Sequence, residues 1–409
     1  MTKIEPPPWM TEPATAALLA AFGKAGIAAR FVGGAVRDSL LGRAVADIDL
    51  ATPALPETVM AALEEAGLKA VPTGIDHGTV TAVVPPRHFE ITTLRRDVET
   101  YGRRARVAFD ADWAADAARR DFTINAIYLD PDGTVHDPVG GLIDLKAHRV
   151  RFVGDPATRI AEDRLRALRF YRFTARFGGE PGDKAGRAAC REAASLLGGL
   201  SAERVAQELL RLLAVPDPVP AVRMMTEDGV LQAILPEAQR PDRLAALLRI
   251  EPPPADPLRR LAALSEADSA GMRAIAERLR LSNAQCGRLA GLAPPWPVDP
   301  AADARAQRRA LYRLGAKRYR DVLLLRAAET GLAPARLAEL LVLAMAWRPP
   351  VFPLDGHDVT ALGAAPGPRV GRLLSAVRQW WEDGDFAADR AACLRKLEEM
   401  EAAGRPAES

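Results

Sequence analysis

Phe31-Val-Gly-Gly-Ala-Val-Arg-Asp-Ser-Leu-Leu-Gly-Arg-Ala-Val-Ala-Asp-Ile-Asp-Leu-Ala-Thr52 joins two chemistries in one short run. Apolar residues from Ala29 to Val32 read as a strand entering the Gly33-Gly34 turn, and a helix from about Ala35 to Leu41 follows. With no side chains at Gly33 and Gly34, backbone N–H groups can approach phosphate oxygens closely, and Arg37 sits in the first turn of the helix beside them. Ala46 to Ala51 reads as the next strand. Asp47 and Asp49 are two apart in it, so both carboxylates leave the same face, and hard oxygen ligands of this kind suit Mg²⁺. Two such ions about 3.5–4 Å apart lower the pKa of an attacking 3′-hydroxyl and neutralise a departing pyrophosphate. Taken separately, Gly-Gly reads as an ordinary turn and Asp-Ile-Asp as an exposed strand edge. Together at this spacing they imply two-metal nucleotidyl transfer. Glu90, in the alternating run His88-Phe-Glu-Ile-Thr-Thr93, is either a third carboxylate on a neighbouring strand or a solvated strand residue.

Outward from this stretch, residues 1–150 carry short β-rich runs with Gly and Thr, and long Ala/Leu/Arg segments of helical period come after them. The pattern predicts an α/β head followed by an all-α remainder. Further strands are expected at Gly78 to Val84, His88 to Thr93, and Ile127 to Leu129 with Val135. Arg95 to Ala118 is charged and poorly periodic, and is expected to be a flexible loop. Helices are expected at Ala157 to Arg176, Ala185 to Leu197, Ala202 to Leu213 and Pro218 to Asp228, forming a neck over 151–230 that ends at Gly229. Pro-rich breaks at Glu251, Ala293 and Arg348 punctuate a helical body (231–350) and tail (351–409).

Composition bounds the rest. The chain has 409 residues, enough for several cores. No apolar run approaches the ~20 residues of a membrane span, and the N-terminus lacks the apolar segment of a secretory signal. These features lead us to expect a cytoplasmic protein with no membrane contact. Three widely spaced cysteines exclude a disulfide framework and a Cys-rich zinc site. Net charge is only +2, but arginines cluster at Arg95 to Arg106, Arg119-Arg120, Arg149 to Arg176 and Arg305 to Arg320. Such strips suit phosphate partners as well as ordinary solvated helix faces.

Four ordered motifs carry a resemblance: Gly-Gly-Ala-Val-Arg-Asp38, Asp47-Ile-Asp-Leu-Ala-Thr52, Arg119-Arg-Asp-Phe-Thr-Ile-Asn-Ala126 and Glu162-Asp-x-x-Arg166. They are similar to those of the bacterial class II tRNA nucleotidyltransferase and poly(A) polymerase family, with weaker similarity at Asp228 to Glu237 and Leu354 to Gly363. The resemblance implies a polymerase-beta-like mixed sheet in the head. It implies that Gly33, Gly34 and Arg37 hold the nucleotide triphosphate and that Asp47 and Asp49 hold Mg²⁺; Glu90 stays the third catalytic candidate on its strand pattern alone. It also implies that Arg120 meets phosphate, Asp121 lies near the ribose and Asn125 supports the sugar edge. Asp137 to Leu145 resembles a connecting turn without chemistry.

The Glu162-Asp-x-x-Arg166 motif has a physical reading of its own. Asp163 and Arg166, expected at i and i+3 of one helix, pair an acceptor with a donor and so complement the base edges of C and A. G and U would leave groups unpaired, at about 1–3 kcal/mol each. Arg169 and Arg172 continue the same helix face, and by resemblance orient the base-reading pair and the triphosphate. The activity implied is addition of C, C and A to the 3′ end and acceptor arm of tRNA from CTP and ATP. Poly(A) addition and partial CC- or A-addition are the related alternatives. The full-length segment from Leu94 to Asp116 argues against a CC-only enzyme. Asp76-His-Gly-Thr-Val-Thr-Ala-Val83 stands where that family's poly(A) polymerases carry a basic element. A catalytically silent RNA-binding scaffold is the reading from another class, and the intact Asp47/Asp49 pair argues against it. With five histidines, no phosphohydrolase ligand set assembles. Arg308, Arg309, Lys317, Arg318 and Arg320 are expected to contact tRNA backbone.

Overall fold

The computed structural model describes residues 2–75, 78–101, 104–109 and 111–403. Asp76 and His77, which begin the stretch distinguishing CCA from poly(A) addition, lie outside them, as do Gly102, Arg103 and Asp110 of the expected loop. Among the described residues ten strands form in chain order: β1 (Thr2–Lys3), β2 (Arg30–Val32), β3 (Ile48–Thr52), β4 (Lys69–Gly74), β5 (Thr79–Val84), β6 (Arg87–Thr93), β7 (Arg95–Tyr101), β8 (Arg104–Phe109), β9 (Tyr128–Leu129) and β10 (Thr134–His136). Eight of them make one mixed sheet in the order β1-β10-β9-β2-β3-β6-β5-β4. Every pairing in it is antiparallel except β3 with β6.

The period-2 alternation of strands divides the centre of this sheet into two faces. Ile48 and Leu50 of β3 align with Phe89 and Ile91 of β6, and all four are buried. Helices α1 (Pro8–Thr11), α2 (Pro13–Lys24), α3 (Gly34–Leu40) and α4 (Pro56–Glu65) complete this half of the head, α2 and α4 packing on each other and on β5. The opposite face carries Asp49 and Glu90.

The segment expected as a flexible loop is instead a hairpin, β7 paired antiparallel with β8, followed by helix α5 (Trp113–Ala118). Seven of the fifteen residues from Arg95 to Phe109 are charged, and that density drew attention away from the alternation of Arg104-Ala-Arg-Val107.

Helices α6 (Gly141–Lys146), α7 (Pro156–Glu162), α8 (Leu165–Phe177), α9 (Lys184–Ala193), α10 (Ala202–Leu213), α11 (Val219–Glu227) and α12 (Val230–Ile234) follow. Asp137 accepts from the backbone N–H of Gly141 (2.6 Å) and Leu142 (2.9 Å), capping α6. This seats Gly141 against the 3₁₀ turn Thr123–Asn125, so closely that a Cβ at 141 would stand 2.2 Å from the Thr123 carbonyl oxygen. Gly141→Ala is therefore expected to lower stability by about 1–3 kcal/mol, read as a lower urea midpoint at unchanged m-value.

The remaining helices are α13 (Pro241–Ile250), α14 (Pro257–Leu264), α15 (Ser269–Arg278), α16 (Asn283–Ala290), α17 (Ala304–Thr330), α18 (Pro334–Ala346), α19 (Gly356–Ala361), α20 (Pro368–Asp383) and α21 (Arg390–Ala403). The chain divides into two compact units, Met1–Ala238 with Arg278–Leu281, and Gln239–Glu277 with Ser282–Ser409. The expected head and neck thus fall almost wholly in the first unit, and nearly all of the body and tail in the second. Within the second, Arg259 is buried between Glu251 (2.6 Å) and Asp321 (2.6 Å), while Leu354, Val377, Trp381, Cys393 and Leu397 form a separate apolar cluster. Cys190, Cys286 and Cys393 are buried and none forms a disulfide. No helix of the described residues is long and apolar enough to cross a membrane.

Candidate active site

The antiparallel register of β2 and β3 sets Val32 opposite Asp49, so the chain turns at Gly33 beside the acidic strand. Gly33 has φ 73° and ψ −129°, a conformation that disfavours any side chain. A methyl group placed on it would lie 3.7 Å from Oδ2 of Asp49 and 4.0 Å from Nη1 of Arg120. The parallel register of β3 and β6 places Glu90 directly beside Asp49. Asp47 is exposed, just ahead of β3, and Asp49 is half-buried. Burial first, then the charge of Glu90, push the Asp49 carboxyl up to about 6; Asp47 adds to this and Arg120 opposes it. Such crowding of carboxylates is relieved by a cation.

Among the described residues, no three His, Cys, Asp or Glu side chains converge into a complete metal cage. The donors that do meet here, Asp49 with Glu90 beside it and Asp47 close by, are carboxylate oxygens, the ligand type of hard divalent cations.

The Arg119-Arg-Asp121 motif follows α5. Arg120 is held by Asp116 and Tyr128. Asp121 accepts from its own following N–H at Phe122 (2.8 Å), from Nδ2 of Asn125 (3.1 Å) and from Nε of Arg169 (2.9 Å). Burial alone would raise its pKa, but Arg169 and these donors hold it below the usual carboxylate range. Asn125 in turn accepts from Nη1 of Arg37 at 2.6 Å. Arg37 is itself 6% exposed, bonded to Asp38 and lying 3.8 Å over the Phe177 ring. The glycine-turn residue and the two motifs are therefore one connected polar chain: Arg37, Asn125, Asp121, Arg169. Phe122, Phe152, Phe170 and Phe173 pack at 5.0–6.4 Å behind it and fix α8 to the head.

Asp163 and Arg166 do not lie on one continuous helix as expected. The helix breaks at Asp163 (φ −149°, ψ 104°), between α7 and α8. There the carboxylate accepts the Leu165 N–H at 3.1 Å, a capping role that a short acidic side chain fills better in extended backbone than in a helix. Asp163 also accepts from Arg204 (2.6 Å), while Arg166 pairs with Glu162 and donates to the Arg159 carbonyl (3.1 Å). Arg169 and Arg172 do share α8, and Arg172 donates to Glu208 at 2.5 Å.

Sequence reasoning missed α10 as a partner of this site. Arg204 and Glu208 both come from it, and Glu208 is 3% exposed. A visible signal existed: Glu208 sits on the helix face of Val205, Leu209 and Leu212, where a charge needs a buried partner. Asp116 and Tyr128 were also missed.

In the second unit, Arg308 and Arg309 are ion-paired with Asp385 and Asp383. Both pairs are partly exposed, so a contact with phosphate there would exchange the aspartates for it. Lys317, Arg318 and Arg320 follow a kink in α17 at Gly315 (φ 73°, ψ 157°). Lys317 and Arg320 line a cavity of about 520 Å³ with Tyr312, Trp347 and Arg348.

Residues 29–151 match the Poly A polymerase head domain, and residues 183–240 match a probable RNA and SrmB- binding site of polymerase A. The chain is 34% identical over 382 residues to the mitochondrial CCA tRNA nucleotidyltransferase 1 of Danio rerio, spanning 90% of this chain and 86% of that protein. It is 32% identical to the CCA-adding enzyme of Limosilactobacillus fermentum over 97% of this chain and 99% of that one. The Bacillus stearothermophilus CCA-adding enzyme in complex with CTP superimposes with a TM-score of 0.81 at 29% identity, covering 97% of this chain and 99% of that one. Similarity sustained along nearly the whole chain, on a head that sets Asp49 against a glycine turn, means that this chain belongs to the CCA tRNA nucleotidyltransferase family.

Proposed function

We propose that this chain adds C, C and A to the 3′ end of tRNA, consuming CTP and ATP and releasing pyrophosphate. The observation that carries this reading is the Asp49 carboxylate, set beside the Gly33 turn, aligned with Glu90 and faced by Arg120. Asp47 and Asp49 would hold divalent cations, with Mg²⁺ as the ion. When bound, Mg²⁺ supplies the charge that activates a 3′-hydroxyl and neutralises pyrophosphate. Gly33 and Gly34 admit the triphosphate to the backbone, with Arg37 and Arg120 bordering it. Asp121 and Asn125 meet the sugar, and Glu90 keeps negative charge beside Asp49 so that a cation is preferred there.

Base selection falls to Asp163 and Arg166, oriented through Arg169 and Arg172. Each of the pair is engaged within the protein, Asp163 with Arg204 and Arg166 with Glu162. Reading a base therefore means exchanging those partners for the base edge, which keeps the donor and acceptor satisfied between turnovers. A cytoplasmic location belongs to the same reading, since three buried thiols suit a reducing compartment.

The test uses tRNAs lacking one, two or three 3′ nucleotides, each NTP supplied separately, with products sized on a gel. Addition of A to a tRNA ending in CC, and of two C to one lacking all three, is the expected pattern. Repeated A addition without a stop would replace this reading with poly(A) synthesis.

For tRNA contact, Lys317 and Arg320, which form no ion pair among the described residues, are favoured over Arg308 and Arg309, each of which is held by an aspartate. Charge reversal at Lys317 together with Arg320 is expected to lower tRNA affinity and reduce the log–log salt slope by about 1–2. Filter binding in which both stay at wild-type values would remove this surface from the reading.

A further inference from the structure

We propose that Asp116 is a positioning residue of the transfer site, clamping two corners of the Arg120 guanidinium so that it faces the glycine turn without closing onto Asp49. The proposal rests on the assignment of Asp47 and Asp49 to metal above. Asp116 lies in α5, outside every motif that the sequence singled out, and is 1% exposed. Its Oδ1 accepts from Nε (2.8 Å) and Nη2 (2.5 Å) of Arg119. Its Oδ2 accepts from Nε (3.1 Å) and Nη2 (3.0 Å) of Arg120 and from the hydroxyl of Tyr128 (2.7 Å). Tyr128 belongs to the apolar cluster of Val32, Ala51 and Ala126, so the clamp is anchored in the strands that carry the site.

The remaining corner of Arg120, Nη1, is the one beside Gly33, where Oδ2 of Asp49 also lies. Buried counter-ions often serve stability alone. Here the geometry points further, because the clamp grips the side of the guanidinium away from the acidic strand. A released Arg120 could pair bidentately with the crowded Asp49 carboxylate, occupying the oxygens that a cation needs.

Asp116→Asn keeps the size and removes the charge. In nucleotide-free protein, Mn²⁺ affinity followed by electron paramagnetic resonance is expected to fall about 10- to 100-fold, the range for residues that orient metal ligands. Adding Arg120→Gln to Asp116→Asn should restore Mn²⁺ affinity to the wild-type value, because the competing cation is gone. Tyr128→Phe retains every charge and removes only the hydroxyl that donates to Asp116 and accepts from Nε of Arg120; it should weaken Mn²⁺ by about two- to tenfold with a folded melting profile, and it carries the test if Asp116→Asn does not fold. Wild-type Mn²⁺ affinity in either single variant, or no recovery in the double variant, overturns the proposal. Wild-type protein binding Mn²⁺ no better than Asp49→Ala would overturn the metal assignment itself, a result distinct from failure of the clamp.

Discussion

Asp49→Ala is expected to lower nucleotidyl transfer by at least about 1,000-fold while leaving tRNA binding near its wild-type value. The magnitude follows from losing a ligand to an ion whose charge stabilisation is worth several kcal/mol, at a tenfold rate change for each ~1.4 kcal/mol. The variant should also stay folded, which makes the result interpretable. Burial and Glu90 raise the Asp49 pKa in the folded state to about 6. An acid that holds its proton more tightly when folded contributes stability only while protonated, and loses that contribution as pH rises through the folded value. At neutral pH its ionised form is thus a burden on the fold, and alanine relieves it. Single-turnover assays with Mg²⁺ and primer tRNA, beside filter binding and a thermal melt, check all three parts. Turnover within tenfold of wild type would leave the carboxylate pair without its role.

The second large effect concerns selectivity. Asp163→Ala or Arg166→Ala is expected to reduce discrimination against UTP and GTP by about 10- to 100-fold, as kcat/KM ratios, because the wrong bases no longer leave a buried donor or acceptor unmatched. The two substitutions differ in their structural side effects. Asp163 also caps α8 through the Leu165 N–H, so its loss should cost about 1 kcal/mol of stability, whereas Arg166→Ala mainly releases Glu162. Unchanged ratios in both variants would exclude side-chain templating.

The site was legible where its logic is local. Gly33, Asp47 and Asp49 lie within one short run, but the strand expected to carry both carboxylates begins only at Ile48, so Asp49 stands in β3 and Asp47 just ahead of it. Glu90 was readable only as a candidate, because its place beside Asp49 depends on a parallel register that no local pattern sets. The helix spanning Asp163 was drawn as continuous since Ile160, Ala167, Leu168 and Tyr171 keep the helical period across the break. Only the capping chemistry of Asp163 marks it. The hairpin at β7 and β8 escaped notice although Ala105, Val107 and Phe109 alternate with Arg104 and Arg106, because the segment was read by its charge rather than by its period. The pairing of Arg308 and Arg309 was not readable because their partners, Asp385 and Asp383, are far along the chain. Asp116 was lost in a segment taken for loop, although an acid just ahead of two arginines, at i+3 and i+4, is a pattern that helices reward.

The single parallel pairing in the head sheet has a bearing on how the enzyme is born. An antiparallel neighbour can zip from an adjacent turn, but β6 reaches β3 only after α4, β4 and β5 have been laid down between them. Asp49 and Glu90 are therefore brought together by a non-local contact, unlike the residues of the adjoining β5–β6 hairpin. A head in which β6 has not yet reached β3 has its acidic strand without Glu90 beside it, which ties the assembly of the carboxylate pair to that one register.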